Sequence, residues 1–177
     1  MHRLFVAIRP PLPVRERLLA GMIGVPGARW QTNEQLHLTL RFIGEVDRHC
    51  ARDVAAALGS IHHPRFAIGL NGVGQFDRKG RMDTLWAGVT PHGALRSLQK
   101  KIDQALVRIG LAAEQRAYLP HITLARFSRG AGPVGGSLPF TAPQPGLPFE
   151  VQEFCLFESD LGTGGPVYSI VERYPLG

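Results

Sequence analysis

Two tetrapeptides of almost the same kind, His37-Leu38-Thr39-Leu40 and His121-Ile122-Thr123-Leu124, lie 84 residues apart in a chain of 177. Each alternates polar and aliphatic side chains with the period of a β-strand, in which positions i and i+2 point to the same face. Each motif therefore sets one imidazole and one hydroxyl side by side and backs them with aliphatic residues. A single His-x-Thr in a strand is ordinarily no more than the polar face of a sheet. Two copies, one in each half, imply a long internal duplication of two α+β halves. Face-to-face packing of such halves would bring two imidazoles and two hydroxyls into one cleft.

The remaining pattern fits that reading. Residues 3–9 alternate as a first strand, ended by Pro10 and Pro11. Helical spacing is expected over 13–24, over 47–58 with Asp47 as N-cap, and over 92–109 with Gly110 just past the end. The last of these has an apolar stripe of Leu95, Leu98, Ile102, Leu106 and Ile109. Strands are expected at 35–43, with Leu36, Leu38, Leu40 and Phe42 on one face and His37, Thr39 and Arg41 on the other. Residues 65–76 and 84–90 read as two strands around the polar turn Asp77–Arg81. Residues 118–127, 149–157 and 167–174 complete the set of strands. The Gly-rich run from Gly69 to Gly74 marks a bulge or a close backbone approach. Residues 129–148, rich in Gly and Pro, are expected to be an exposed connector without regular structure.

Breaking a phosphate ester with water needs one proton taken from the nucleophile and one given to the leaving oxygen. Histidine, with an ordinary pKa near 6.5, serves either purpose close to neutrality. Threonine hydroxyls suit the non-bridging phosphate oxygens. The formal charge of +6, carried by 17 Arg and 3 Lys, favours phosphate-bearing partners. Arginine also forks onto phosphate better than lysine does, although a bias in codon usage would equally enrich it. Neither histidine has an acidic ligand cluster beside it, so no metal and no cofactor is expected. His2, His49, His62, His63 and His92 are expected at the surface. Cys50 and Cys155 read as buried free thiols. No G-x-S-x-G and no G-x-x-x-x-G-K-[ST] occurs, which removes the common serine hydrolase and P-loop readings. No apolar run is long enough to span a membrane and none resembles a signal peptide, so a cytoplasmic protein is expected.

At the two His-x-Thr motifs the chain resembles the 2H phosphoesterase superfamily, within it the RNA 2′,3′-cyclic phosphodiesterases historically called 2′-5′ RNA ligases. The resemblance extends to Arg3–Ile8, the run from His37 to Val46, Leu85–Val89, Pro120–Arg126, Leu156–Ser159 and Gly164–Tyr168. It implies a bilobal, pseudo-duplicated α+β fold over 1–177, with two antiparallel sheets flanking a central cleft and helices on the outside. It assigns His37 as proton donor and His121 as the acceptor that activates water, with Thr39, Thr123 and Arg126 binding the phosphate. The implied substrate is an RNA with a 2′,3′-cyclic phosphate end, tRNA fragments among the candidates. The product is a 2′-phosphomonoester, and reversal would join a 5′-hydroxyl in a 2′-5′ bond without ATP. A monomer is the expected state.

Strict alternation sets Arg126 on the face opposite His121, so it reaches the phosphate only if the strand ends or bulges near Ala125. Arg41 shares the face of His37, and the choice between the two arginines is open at this level. Phe5 and Trp86 are candidates for stacking on a base, with core packing the ordinary role of each. Two rival readings are a non-catalytic module for RNA ends and an enzyme of another diester, such as a cyclic nucleotide or ADP-ribose cyclic phosphate. An ATP-dependent ligase would need a K-x-[DN]-G lysine, and none of Lys79, Lys100 and Lys101 has that setting.

Overall fold

The computed structural model describes residues 1–129, 132–133 and 146–177. In chain order the described elements are β1 (His2–Ile8), α1 (Leu12–Ala20), β2 (Arg29–Trp30), β3 (Leu38–Val46), α2 (Arg48–Gly59) and β4 (Phe66–Arg78). They continue with β5 (Arg81–Thr90), α3 (Gly93–Arg108), β6 (His121–Arg126), β7 (Gly146–Val151), β8 (Glu153–Gly162) and β9 (Gly165–Pro175). The architecture is α+β, and every described strand pairing is antiparallel.

The strands run in the order β7-β4-β5-β6-β3-β1-β8-β9, with β2 added beside β6. Four strands on each side of the β3–β6 junction form two half-sheets, with a motif strand innermost in each. The halves meet edge to edge through β3 and β6, not face to face as the duplication suggested. Their junction is a single register pair, Leu38 with Ile122. Beyond it β6 turns to β2 for partners, and the Gln31 amide donates to the Leu124 carbonyl.

Burial explains why these segments fold as they do. Leu38, Leu40, Ile122 and Leu124 join one core with Val14 and Leu18 of α1, Val54 and Leu58 of α2, and Leu95, Leu98, Ile102 and Leu106 of α3. Strand β1 is buried on both faces. Leu4, Val6 and Ile8 enter that core, while Phe5 and Ala7 join a smaller cluster with Cys155 and Phe157. Asp47 caps α2 by accepting from the Cys50 amide at 2.8 Å, as its position predicts. Helix α3 ends in a Schellman arrangement: Gly110, at φ 95°, donates to the Val107 carbonyl, and Leu111 donates to Leu106.

Several boundaries differ from the sequence reading. Helix α1 stops at Ala20, where the Gly21 amide turns back to Leu18. The polar turn after β4 is only Lys79-Gly80, both at positive φ, and the flanking residues are absorbed into a longer hairpin. Three strands, not two, follow residue 145, because Gln152 separates β7, which pairs with β4, from β8, which pairs with β1 and β9. Most of the expected 129–148 connector lies outside the described residues. Ile109 is 37% exposed, beyond the end of the apolar stripe of α3. His63 is buried, not at the surface: its Nδ1 bonds the Pro64 carbonyl and its ring meets Phe66 edge-on. Cys155 is buried as expected, whereas Cys50 is only partly so.

The Gly69–Gly74 run does carry a bulge, between Leu70 and Val73, with Gly72 at φ 70°. A Cβ at Gly74 would lie 2.2 Å from Cζ2 of Trp86. Gly74→Ala is therefore expected to lower unfolding stability by roughly 1–3 kcal/mol through overpacking, measured by denaturant titration with Trp fluorescence as the probe.

Candidate active site

Antiparallel register decides how the two motifs meet. With Leu38 opposite Ile122, the same register carried one residue each way sets His37 beside Thr123 and Thr39 beside His121. All four point away from the core face, because Leu38 and Ile122 are fully buried on it. Cross-strand neighbours on one face have Cβ atoms about 4.5–5.5 Å apart. That register sets the imidazoles on one diagonal and the hydroxyls on the other. All four residues line one cavity of about 760 Å³, together with Arg126 and Arg41.

Both imidazoles are held in the same way. Nδ1 of His37 lies 2.6 Å from the Gln35 carbonyl, and Nδ1 of His121 lies 2.7 Å from the Leu119 carbonyl. A carbonyl only accepts, so each Nδ1 carries the proton and each Nε2 is left to titrate. The Gln35 carbonyl is itself anchored. The Gln35 side-chain amide donates to the Pro166 carbonyl, and its oxygen accepts from the Thr32 amide. Tyr118, next to Leu119, donates its hydroxyl to the Thr39 carbonyl at 3.1 Å and ties one motif to the other.

Aromatic rings back each imidazole. Phe5 lies 4.9 Å from the His37 ring and Tyr168 meets it edge-on at 5.3 Å. Phe76 meets His121 edge-on at 5.1 Å, with Trp86 at 5.8 Å. Phe5 is wedged between His37 and Phe157, which is a packing role, and Trp86 lies against Gly74.

A β-bulge answers the question of the arginines. Opposite β5, Leu85 pairs with Ala125 and Trp86 with Thr123, so Leu124 has no partner in that ladder. Leu124 and Ala125 are both fully buried, alternation skips a beat, and Arg126 returns to the face of His121 and Thr123. Strand β3 repeats the device: Ala7 pairs with Thr39 and Val6 with Arg41, leaving Leu40 unpaired. Phe42 thus stands where Arg126 stands in the other half. It is 44% exposed and lines the cavity, not the core face with Leu38 and Leu40.

Arg41 reaches the cavity wall, but its guanidinium is committed. Its Nε donates to Asp103 at 2.7 Å, its Nη1 to the Phe42 carbonyl, and its Nη2 to the Ala112 carbonyl. The Arg126 side chain has no hydrogen bond or ion pair among the described residues, and its charge acts on both histidines. Glu114 is held down to about 2, chiefly by hydrogen bonds from Arg116. The motifs gave no sign of Gln35, Phe76, Arg96, Gln99, Glu114, Arg116 or Tyr168, because these come from other elements. Among the described residues no group of three or more His, Cys, Asp and Glu could hold a metal ion.

Burial pushes the His37 imidazole down to about 4. The nearby Arg126 and His121 lower it further, and the Gln35 carbonyl opposes the shift. His121 is lowered by the same causes, burial first, then Arg126, against the Leu119 carbonyl. Both are therefore neutral at pH 7 in the empty cleft.

Two half-sheets with an imidazole from each lining one cavity beside Arg126 define a two-histidine cleft protein. The chain belongs to the 2′-5′ RNA ligase superfamily, whose family model matches residues 15–163. A relative in Aeropyrum pernix, named RNA 2′,3′-cyclic phosphodiesterase, is 34% identical over 82% of this chain and 84% of its own. A solved structure from Thermus thermophilus superposes with a TM-score of 0.84 at 28% identity, covering 98% of this chain and 97% of that one. Escherichia coli LigT complexed with 3′-AMP superposes with a TM-score of 0.82 at 30% identity, covering 99% and 98%.

The depressed His37 makes a prediction about stability. The unfolded chain binds a proton near pH 6.5 and the folded chain only near 4, so stability is full above 6.5 and falls as pH drops through that window. The loss attributable to His37 is about 3 kcal/mol. Stability curves of wild type and His37→Gln between pH 7 and about 4 are expected to converge as pH falls; parallel curves would refute the assignment.

Proposed function

We propose that the whole chain works as one bilobal domain that hydrolyses the 2′,3′-cyclic phosphate at the end of an RNA to a 2′-phosphomonoester. The observation that carries this reading is the pair of identically locked imidazoles, each with Nε2 left to titrate, lining one cavity with Arg126, whose side chain has no partner among the described residues. The names of the relatives and the 3′-AMP bound by LigT support the substrate class.

In the reaction, Arg126, Thr39 and Thr123 hold the non-bridging oxygens and fix the phosphorus between the rings. His121 accepts a proton from water as the oxygen attacks phosphorus. His37 gives its proton to the departing O3′, and the phosphate remains on O2′. A ribose 5′-hydroxyl in place of water would yield a 2′-5′ bond by the same transfers, His121 taking its proton and His37 protonating O3′. Neither a metal nor a nucleotide cofactor is required, and a monomer suffices.

His37 must hold a proton to act as the donor, yet in the empty cleft it is pushed down to about 4. An arriving phosphate offsets the positive field of Arg126 and favours the charged imidazole. Proton and substrate therefore enter together.

The test uses a short RNA with a 2′,3′-cyclic phosphate end, in EDTA and without nucleotide. Turnover to a 2′-phosphate is expected, with His37→Ala and His121→Ala each slower by roughly 10²–10⁴-fold. Absence of turnover, or mutants as fast as wild type, would overturn the reading. Because both histidines are lowered in the free enzyme, the bell of kcat/KM against pH should peak on the acid side of about 6.5. The kcat profile, measured on the loaded enzyme, should lie closer to neutrality.

A further inference from the structure

Four arginines line the cavity that holds the histidines: Arg41, Arg96, Arg116 and Arg126. Two are matched by anions on the protein. Arg41 is bound to Asp103, and Arg116 is gripped by both carboxylate oxygens of Glu114. Arg126 and Arg96 have no anionic partner among the described residues. In the proposed reaction Arg126 is taken up by the reacting phosphate. Arg96 is left over.

Helix stability does not account for it. Arg96 is the fourth residue of α3, where the helix dipole disfavours a cation, and no acidic residue stands in that first turn. Arg96, Gln99 and Asp103 follow one another at helical spacing along one side of α3. Asp103 is already bound to Arg41, so nothing in this stripe neutralises Arg96. Arg96 and Gln99 both border the same cavity as the two histidines. An exposed, uncompensated guanidinium beside an amide, on the wall of a phosphate-handling cavity, is matched by a second phosphate.

We propose that Arg96, with Gln99 as an added hydrogen-bond donor, forms a second phosphate subsite. It takes the phosphodiester on the 5′ side of the terminal nucleotide. This rests on the function proposed above and sharpens its substrate class. The enzyme selects the end of an RNA strand over a free cyclic mononucleotide, which has no second phosphate to offer.

The experiment compares kcat/KM on adenosine 2′,3′-cyclic phosphate with that on a short RNA ending in the same nucleoside cyclic phosphate, for wild type, Arg96→Gln and Arg96→Lys. Wild type is expected to prefer the RNA. R96Q should lose about tenfold on the RNA, the share of one charge-assisted contact, and nothing on the mononucleotide, with R96K between. The log–log salt dependence on RNA should become shallower by about 0.7 in R96Q. Its melting temperature should be unchanged or raised, since a disfavoured first-turn cation is removed. R96Q as active as wild type on RNA, or equally impaired on both substrates, would overturn the subsite. A wild type that processes only the mononucleotide would overturn the subsite and the RNA-end reading together, leaving hydrolysis of a small cyclic diester. A wild type inert on both substrates would overturn the phosphodiesterase reading and the subsite with it.

Discussion

One antiparallel register pair, Leu38 with Ile122, joins the two half-sheets, and the geometry of the cleft follows from it. Both side chains are fully buried in the common core. A slip by one residue would turn His37 or His121 into that core and expose an aliphatic residue in exchange, so burial specifies the register strongly. A slip by two would keep the faces but move each imidazole away from the threonine it now adjoins. The Tyr118 hydroxyl on the Thr39 carbonyl adds a directional tie across the same junction. A narrow seam thus sets the spacing of four polar groups, while the bulk of each half-sheet is left to hold its own strand.

The parts of this arrangement legible in the sequence are those written in side-chain periodicity. Alternation located both motif strands, the 3.6-residue stripe located α3, and Asp47 and Gly110 marked helix ends. The bulges at Leu40 and Leu124 were not legible, because a bulge is a property of the neighbouring strand's pairing and both unpaired residues are ordinary aliphatics. One trace existed: Leu124-Ala125 breaks the alternation just before Arg126, which is what a skipped beat looks like in one dimension. In the other half the corresponding pair is Leu40-Arg41, and the trace is hidden by the charge that Asp103 neutralises. The histidine locks left no signal at all, since the acceptors are the backbone carbonyls of Gln35 and Leu119 and any residue supplies a carbonyl.

The two motif strands share a bulge and differ in chemistry. Each half presents histidine, threonine, an unpaired leucine and then a residue returned to the cleft by the bulge. In one half that residue is Arg126; in the other it is Phe42, stacked on Phe5 at 5.8 Å. A site symmetric in charge would repel its own second arginine and hold an anion midway. With Arg126 at one of these positions and Phe42 at the other, the two motif strands give the cleft a cationic side and an apolar side.

That inequality also ties protonation to occupancy. Burial and the charge of Arg126 both disfavour a charged imidazole, so the histidines are neutral near pH 7. Proton binding and anion binding are then reciprocal: whatever a phosphate does to raise the histidines, protonated histidines do for the phosphate. The Nδ1 locks make this coupling local, because the only ring atom left to gain the proton is Nε2. A proton taken up with the ligand arrives at the atom from which general acid catalysis would deliver it. A histidine in open solvent would be charged or neutral regardless of the ligand, and the cost of burying His37 is the condition for coupling the two.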